Sequence, residues 1–341
     1  MAKMDKSAAE AYIYAKASGI LGKSFVNHRA SMLFTTGSLS ALWTLLFNSP
    51  VPQIPEVLLA EKIEKESFKK FVKQYTDFIE QYSSPDQILL DQLAIYEAEN
   101  LKAVGGALCS GEKKCPHLID LGKFAKLNFK AYPDIKKITE KSYYSWYNTV
   151  PEIHEQQKLE FKIDMQFIRH LWDSIGKTSG ETKVQLEKLY LDEYVIKNIV
   201  WALRLKINYN MENQEIIKNL IYVTDSPSYK DPIAAPALDV LNKDLENFSE
   251  WENWKYAELL NPKDIDGLWK VDPRWIEINN RRKIEREANL LFHQYPMSTV
   301  SLISWYKIKN FELSCIRTAV ESLRMNIEPS EAMTCVGIKS E

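Results

Sequence analysis

Between Pro55 and Tyr82 the apolar residues Leu59, Ile63, Phe71, Tyr75 and Phe78 recur at three, four or, across two turns, eight positions, with Glu and Lys filling the intervening face. That spacing matches one face of an α-helix and no face of a strand. The same period returns over Ile88–Leu101, Ile135–Trp146, Glu152–Trp172 and Val184–Lys206, then over Ala237–Asn247, Glu250–Leu260, Arg274–Phe292 and Thr299–Met325. Strand signals are almost absent. With only 11 Gly and 14 Pro in 341 residues, the chain lacks the turn residues that many short strands need, so long helices with few connections are expected. The breaks between helices carry turn chemistry: Ser84-Pro85-Asp86, the glycines Gly105-Gly106, Gly111 to Pro116, Pro151, Gly176 to Gly180, and the proline-rich stretch from Tyr222 to Pro236. The last of these is the longest connection and the best boundary.

Charge and cysteine content exclude several classes of function. Forty-four Lys and Arg face 46 Asp and Glu, so no excess of cations exists to neutralise a nucleic-acid backbone. The opening residues interrupt their apolar positions with Lys and Glu, and no secretory leader is readable there. One uncharged run, Ala30 to Pro55, approaches the length of a membrane span but is broken by Thr35, Thr36, Gly37 and Ser38 and then by Pro50, Pro52 and Pro55. A buried helix followed by a loop fits it better. The four cysteines, Cys109, Cys115, Cys315 and Cys335, make no disulfide framework in a chain this long. Cys109, Cys115 and His117 depart from structural zinc spacing and have no fourth ligand nearby.

No catalytic, cofactor-binding or metal-ligating residue is assigned. Gly22-Lys23-Ser24 and Gly176-Lys177-Thr178 imitate the end of a phosphate loop, but Ala17 and Leu171 stand where its first glycine is required. His28, His117, His154, His170 and His293 are scattered without ligand spacing. Asp192 and Glu193 are adjacent on a helix and so point to different sides, which suits a solvated face or an interface better than an acid and base pair. Trp251, Trp254, Tyr256 and Trp269 read as core with an exposed fraction rather than as a ligand platform.

Three stretches align without gaps: LAIYEAENLKAVGGAL from Leu93, LDEYVIKNIVWALRLK from Leu191 and IKNFELSCIRTAVESL from Ile308. An aromatic recurs at Tyr96, Tyr194 and Phe311, and an aliphatic five residues on at Leu101, Ile199 and Ile316, while Asn100 and Asn198 are shared by the first two. Copies about a hundred residues apart imply a multi-helix unit each time rather than a short solenoid repeat.

At these helices the sequence resembles the C subunit (d in eukaryotes) of V-type and A-type rotary ATPases. The similarity is carried by Glu97-Ala98-Glu99-Asn100-Leu101-Lys102, by Asp192, Asn198-Ile199 and Leu203-Arg204, and by Pro296, Trp305, Glu312, Ile316-Arg317 and the run Asn326 to Glu331. Tyr12-Ile13-Tyr14-Ala15-Lys16 with Ile20-Leu21 is similar to the family's opening helix, although Lys16 and Ser18 stand where it usually has arginines, and Cys315 departs in the third copy. The resemblance implies an all-α funnel of three similar helical bundles around a pseudo-threefold axis, with units over 1–125, 126–225 and 226–341. It implies a non-catalytic rotor part, at the cytoplasmic face of the membrane and peripheral to it, joining the shaft (D/F-type) subunits to the membrane rotor ring for proton or sodium transport. It implies no cofactor and no nucleic-acid partner. A general helical adaptor or scaffold is the alternative.

Overall fold

The computed structural model describes residues 3–262 and 268–338, so the outer ends of the expected first and third units, 1–2 and 339–341, lie outside the described residues. Twelve α-helices make up the described chain: α1 (Lys6–Leu21), α2 (Leu39–Leu46), α3 (Glu56–Ile79), α4 (Gln87–Cys109), α5 (Ile135–Thr139), α6 (Gln156–Gly176), α7 (Gly180–Asn208), α8 (Asn213–Lys218), α9 (Ala235–Leu241), α10 (Pro273–Gln294), α11 (Thr299–Met325) and α12 (Pro329–Thr334). Among the described residues the only β contact is an isolated bridge between Met4 and Tyr82. The all-α expectation holds.

Caps explain the helix starts. Asp5, Ser38 and Asp272 accept hydrogen bonds from backbone N–H groups of the first turns of α1, α2 and α10. Ser298 and Ser301 form a reciprocal capping box that starts α11. At its other end Asn326 adopts φ 52°, the left-handed conformation that stops a helix.

Three expected helices are shorter than their periodicity suggests, and the first, Ala237–Asn247, ends at Leu241 in α9. Ile135–Trp146 is helical only to Thr139, whose hydroxyl donates to the carbonyls of Ile135 (3.1 Å) and Tyr147 (2.9 Å) and folds the chain back. Glu250–Leu260 forms no α-helix, only short 3-10 turns at Phe248–Glu250 and Ala257–Leu259. There the backbone is shaped by aromatic packing: Trp251, Tyr256 and Trp269 are buried, and Trp251 meets Trp254 edge-on at 5.2 Å. These residues are core with Trp254 partly exposed, as their composition suggested.

In α4 the opposite happens. The helix runs straight through Gly105 and Gly106 because they are contact positions rather than stops. A Cβ on Gly105 would overlap the Tyr147 hydroxyl oxygen and lie 3.2 Å from its Cζ. Gly105→Ala therefore lowers stability by about 1–3 kcal/mol through overpacking. Urea unfolding should register that loss, and Tyr147→Phe added to Gly105→Ala should restore part of it; an unchanged midpoint for the single variant defeats the argument.

Buried residues form three apolar clusters. The largest joins α1, the second half of α3, α4, α6, the first half of α7 and the first half of α11, with Trp305 set among Phe71, Tyr75 and Phe78. A second joins the far half of α7 to α8, α9 and the tryptophan-rich turns. The third combines residues 25–63 with 311–336. Helix α11 packs against α1, α2, α3, α7, α10 and α12, and is the common spine.

Candidate functional site

The three aligned stretches meet. The residues immediately before them are Gln92, Tyr190 and Lys307; the Tyr190 hydroxyl donates to Gln92 Oε1, and the Lys307 ammonium lies 4.2 Å from the Tyr190 ring centroid. Nearby, the hydroxyls of Tyr96 and Tyr306 are 2.7 Å apart. Equivalent positions of α4, α7 and α11 thus converge on one buried point.

The shared asparagines do the same work in two places. Asn100 donates to the Ile119 carbonyl (2.9 Å) and accepts from the Ile119 N–H (2.7 Å). Asn198 donates to the Ile221 carbonyl (2.6 Å), accepts from the Ile221 N–H (2.8 Å) and reaches the Ile233 carbonyl (3.1 Å). An amide carries a donor and an acceptor side by side, so a single Asn can clasp both backbone groups of a loop residue and hold it on a helix. The aligned position of α11 is Cys315, which is fully buried with its thiol pushed up to about 12 by desolvation and cannot form such a clasp. One turn earlier Glu312 takes the task, accepting from the Phe25 N–H at 2.6 Å while pairing with Lys309. In α4, Glu97 likewise accepts from the backbone N–H groups of Lys126 and Leu127.

An open cleft of about 450 Å³ lies beside this junction, between α7, α10 and α11. Each helix contributes one face: Ile196, Val200 and Trp201 from α7, Ile284 from α10, Phe311 from α11. Charges rim these apolar walls. Glu193 pairs with Lys197 (3.1 Å) and with Lys307, and Glu277 takes Arg204 (2.5 Å) on one oxygen and Arg281 (3.4 Å) on the other. Burial works against a charged Glu193, but the Lys197 and Lys307 ammoniums outweigh it and hold the carboxyl down to about 2. Burial likewise lowers the pKa of Lys307.

The sign of the resulting pH dependence is fixed. A carboxyl with a folded-state pKa of about 2 against an ordinary 4.5 adds stability that is fully present above pH 4.5 and is lost as the pH falls towards 2. Wild type should therefore lose more melting temperature than Glu193→Gln between pH 5 and pH 2.5; parallel curves would refute the pairing.

The other residues singled out from sequence lie apart. Gly22-Lys23-Ser24 follows the C-terminus of α1, where Ser24 donates to the Ile20 carbonyl and accepts from Lys309. Gly176-Lys177-Thr178 ends α6, with Thr178 bonded to the Ile175 carbonyl. Both sit at the carbonyl end of a helix dipole, which repels phosphate. His28, His117, His154 and His293 are exposed. Among the described residues no three His, Cys, Asp or Glu side chains are grouped to hold a metal, and Cys109, Cys115, Cys315 and Cys335 are all free.

Sequence reasoning missed the pairing of His170 with Asp91. The His170 Nε2 lies 3.2 Å from Asp91, and its ring stacks on Tyr143 at 4.5 Å, joining α6 to α4. Asp91 is fully buried, which opposes its charge, yet His170, Gln87 and Lys126 together lower its pKa. The only sequence signal was an acid on an otherwise apolar face, which gives no hint of a partner 79 positions away.

Two comparisons with known proteins match most of the chain. Residues 53–334 match the family described as ATP synthase (C/AC39) subunit. An uncharacterized protein of Treponema pallidum (strain Nichols) is 22% identical over 324 residues, covering 94% of each chain.

Proposed function

Because the chain belongs to the ATP synthase (C/AC39) subunit family, which holds the C and d subunits of V/A-type ATPases, we propose that it is the non-catalytic rotor part joining the central shaft to the membrane ring. The match over residues 53–334 carries this reading. A rotor coupler transmits torque and breaks no bond, so it needs rigid helices tied to one another. Helix α11, packed against six others, supplies such a spine, and close-packed interiors transmit strain because they compress little.

The proposal includes the funnel of three units over 1–125, 126–225 and 226–341. It is supported by the convergence of Gln92, Tyr190 and Lys307 and by the duplicated asparagine clasp at Asn100 and Asn198. Shaft subunits of the D/F type and the membrane rotor ring are the proposed partners, and the coupled ion is a proton or sodium. The proposed place is the cytoplasmic face of the membrane, with attachment through protein contacts; among the described residues no helix is long and apolar enough to cross a membrane.

Purifying the membrane ATPase from the cell that makes this chain should bring it down with shaft and ring subunits in fixed ratio. Recovery of the chain with unrelated proteins, and none with the ATPase, would replace the coupler by a general helical adaptor.

A further inference from the structure

The cleft between α7, α10 and α11 has an uneven charge. Lys197, Arg204, Arg281 and Lys307 line it against Glu193, Glu277 and Glu285. Glu285 is buried, its pKa is raised by desolvation, and Arg282 neutralises it at 2.8 Å from outside the cleft lining. Each remaining carboxylate is shared by two cations, Glu193 by Lys197 and Lys307, Glu277 by Arg204 and Arg281. The lining therefore carries two uncompensated positive charges on a chain whose formal net charge is -2.

Their placement makes them usable. Arg204 and Arg281 keep 35% and 37% of their side-chain surface, and Lys197 keeps 49%. A guanidinium that gives only part of its five-donor fork to Glu277 can offer the rest to a second carboxylate. Between these cations run the apolar walls of Val200, Trp201, Ile284 and Phe311. Carboxylates and an apolar side chain on one face of a segment would meet complementary groups on every side.

We propose that this cleft is a docking groove for an acidic amphipathic segment of a partner chain, with Asp or Glu side chains reaching Arg204 and Arg281 around an apolar residue set against Trp201. This rests on the reading that the chain works by holding other subunits, and adds the chemistry that one of its surfaces selects. The cationic rim steers and orients the segment, while the apolar walls supply the buried contact.

The test uses the full chain and a labelled synthetic helical peptide with Glu four residues apart around Leu, compared with the same peptide carrying Lys for Glu. Fluorescence anisotropy should show binding of the Glu peptide alone, weakening as salt is raised. Arg281→Gln should weaken it about tenfold, as expected for losing one charge-assisted contact, whereas Arg281→Lys should retain more of it. Equal binding of the Lys peptide, or equal affinity of wild type and Arg281→Gln, overturns the proposal. Displacement of the peptide by millimolar inorganic phosphate also overturns it, by marking a small-anion site. Each of these three failures leaves recovery of the chain with the ATPase untouched, so the two readings fail separately.

Discussion

Glu312→Leu is expected to cost about 3–5 kcal/mol of folding stability, the range for breaking a buried ion pair from one side. Glu312 and Lys309 keep 6% and 10% of their side-chain surface, and among the described residues the Lys309 ammonium has only the Ser24 hydroxyl as a further hydrogen-bond partner, at 2.8 Å. Burial already depresses the Lys309 pKa, so removing Glu312 leaves a lysine that must discard its proton or remain charged in a dry site. The same change strips the Phe25 N–H of its acceptor. The double variant Lys309→Met with Glu312→Leu separates the two losses. It should recover about 2 kcal/mol of the deficit, leaving about 1–3 kcal/mol for the orphaned N–H. Guanidinium unfolding of the three proteins measures this, and a loss below about 1 kcal/mol in Glu312→Leu contradicts the buried-pair account.

Asp231→Asn is expected to cost about 2–4 kcal/mol although the two side chains have the same shape. Asp231 is fully buried and accepts with both oxygens. Oδ2 takes the N–H groups of Val223 (2.7 Å) and Thr224 (2.8 Å) and the Thr224 hydroxyl (2.9 Å), while Oδ1 takes the N–H groups of Ile233 (2.9 Å) and Ala234 (2.8 Å). An amide presents an acceptor to one of these pairs and donors to the other, so either orientation sets N–H against N–H. Hydrogen exchange should quicken at one backbone pair, Val223 and Thr224 or Ile233 and Ala234. Unchanged exchange at all four amides would remove Asp231 as the organiser of this segment.

That segment, Tyr222 to Pro236, shows where sequence reading stops. Its prolines and serines announce a connection, which holds as far as Ala234 before α9 starts, but not that one carboxylate ties it into a compact knot which Asn198 then clasps to α7. Turn residues report local backbone preference, whereas the knot depends on a hydrogen-bond count visible only once the loop is closed. The long helices were legible for the opposite reason. An amphipathic stripe such as Thr299–Met325 repeats its signal over many turns, and the observed α11 has those same bounds. Glu250–Leu260 failed because Trp251, Trp254 and Tyr256 can be packed by folding the backbone around them, and periodicity alone does not separate that from a helix face. In the cleft, Glu193 reads from sequence as part of a solvated face or an interface, whereas it lies largely out of solvent between Lys197 and Lys307. Its partner Lys307 was not legible, because the two are 114 positions apart. The value of Asn100 and Asn198 as a pair was visible as alignment, and their chemistry only from the loops they hold.

The apolar cluster shared by residues 25–63 and 311–336 also bears on how the protein is made. During translation Leu33, Leu42 and Ile63 leave the ribosome well before Phe311 and Ala319, against which that cluster closes. At about 5–20 residues per second the wait is on the order of 12–50 s. Throughout it the nascent front carries apolar surface with no permanent cover, which makes it a client for chaperones. Messages truncated ahead of α11 should yield products that are held or degraded rather than released as folded fragments.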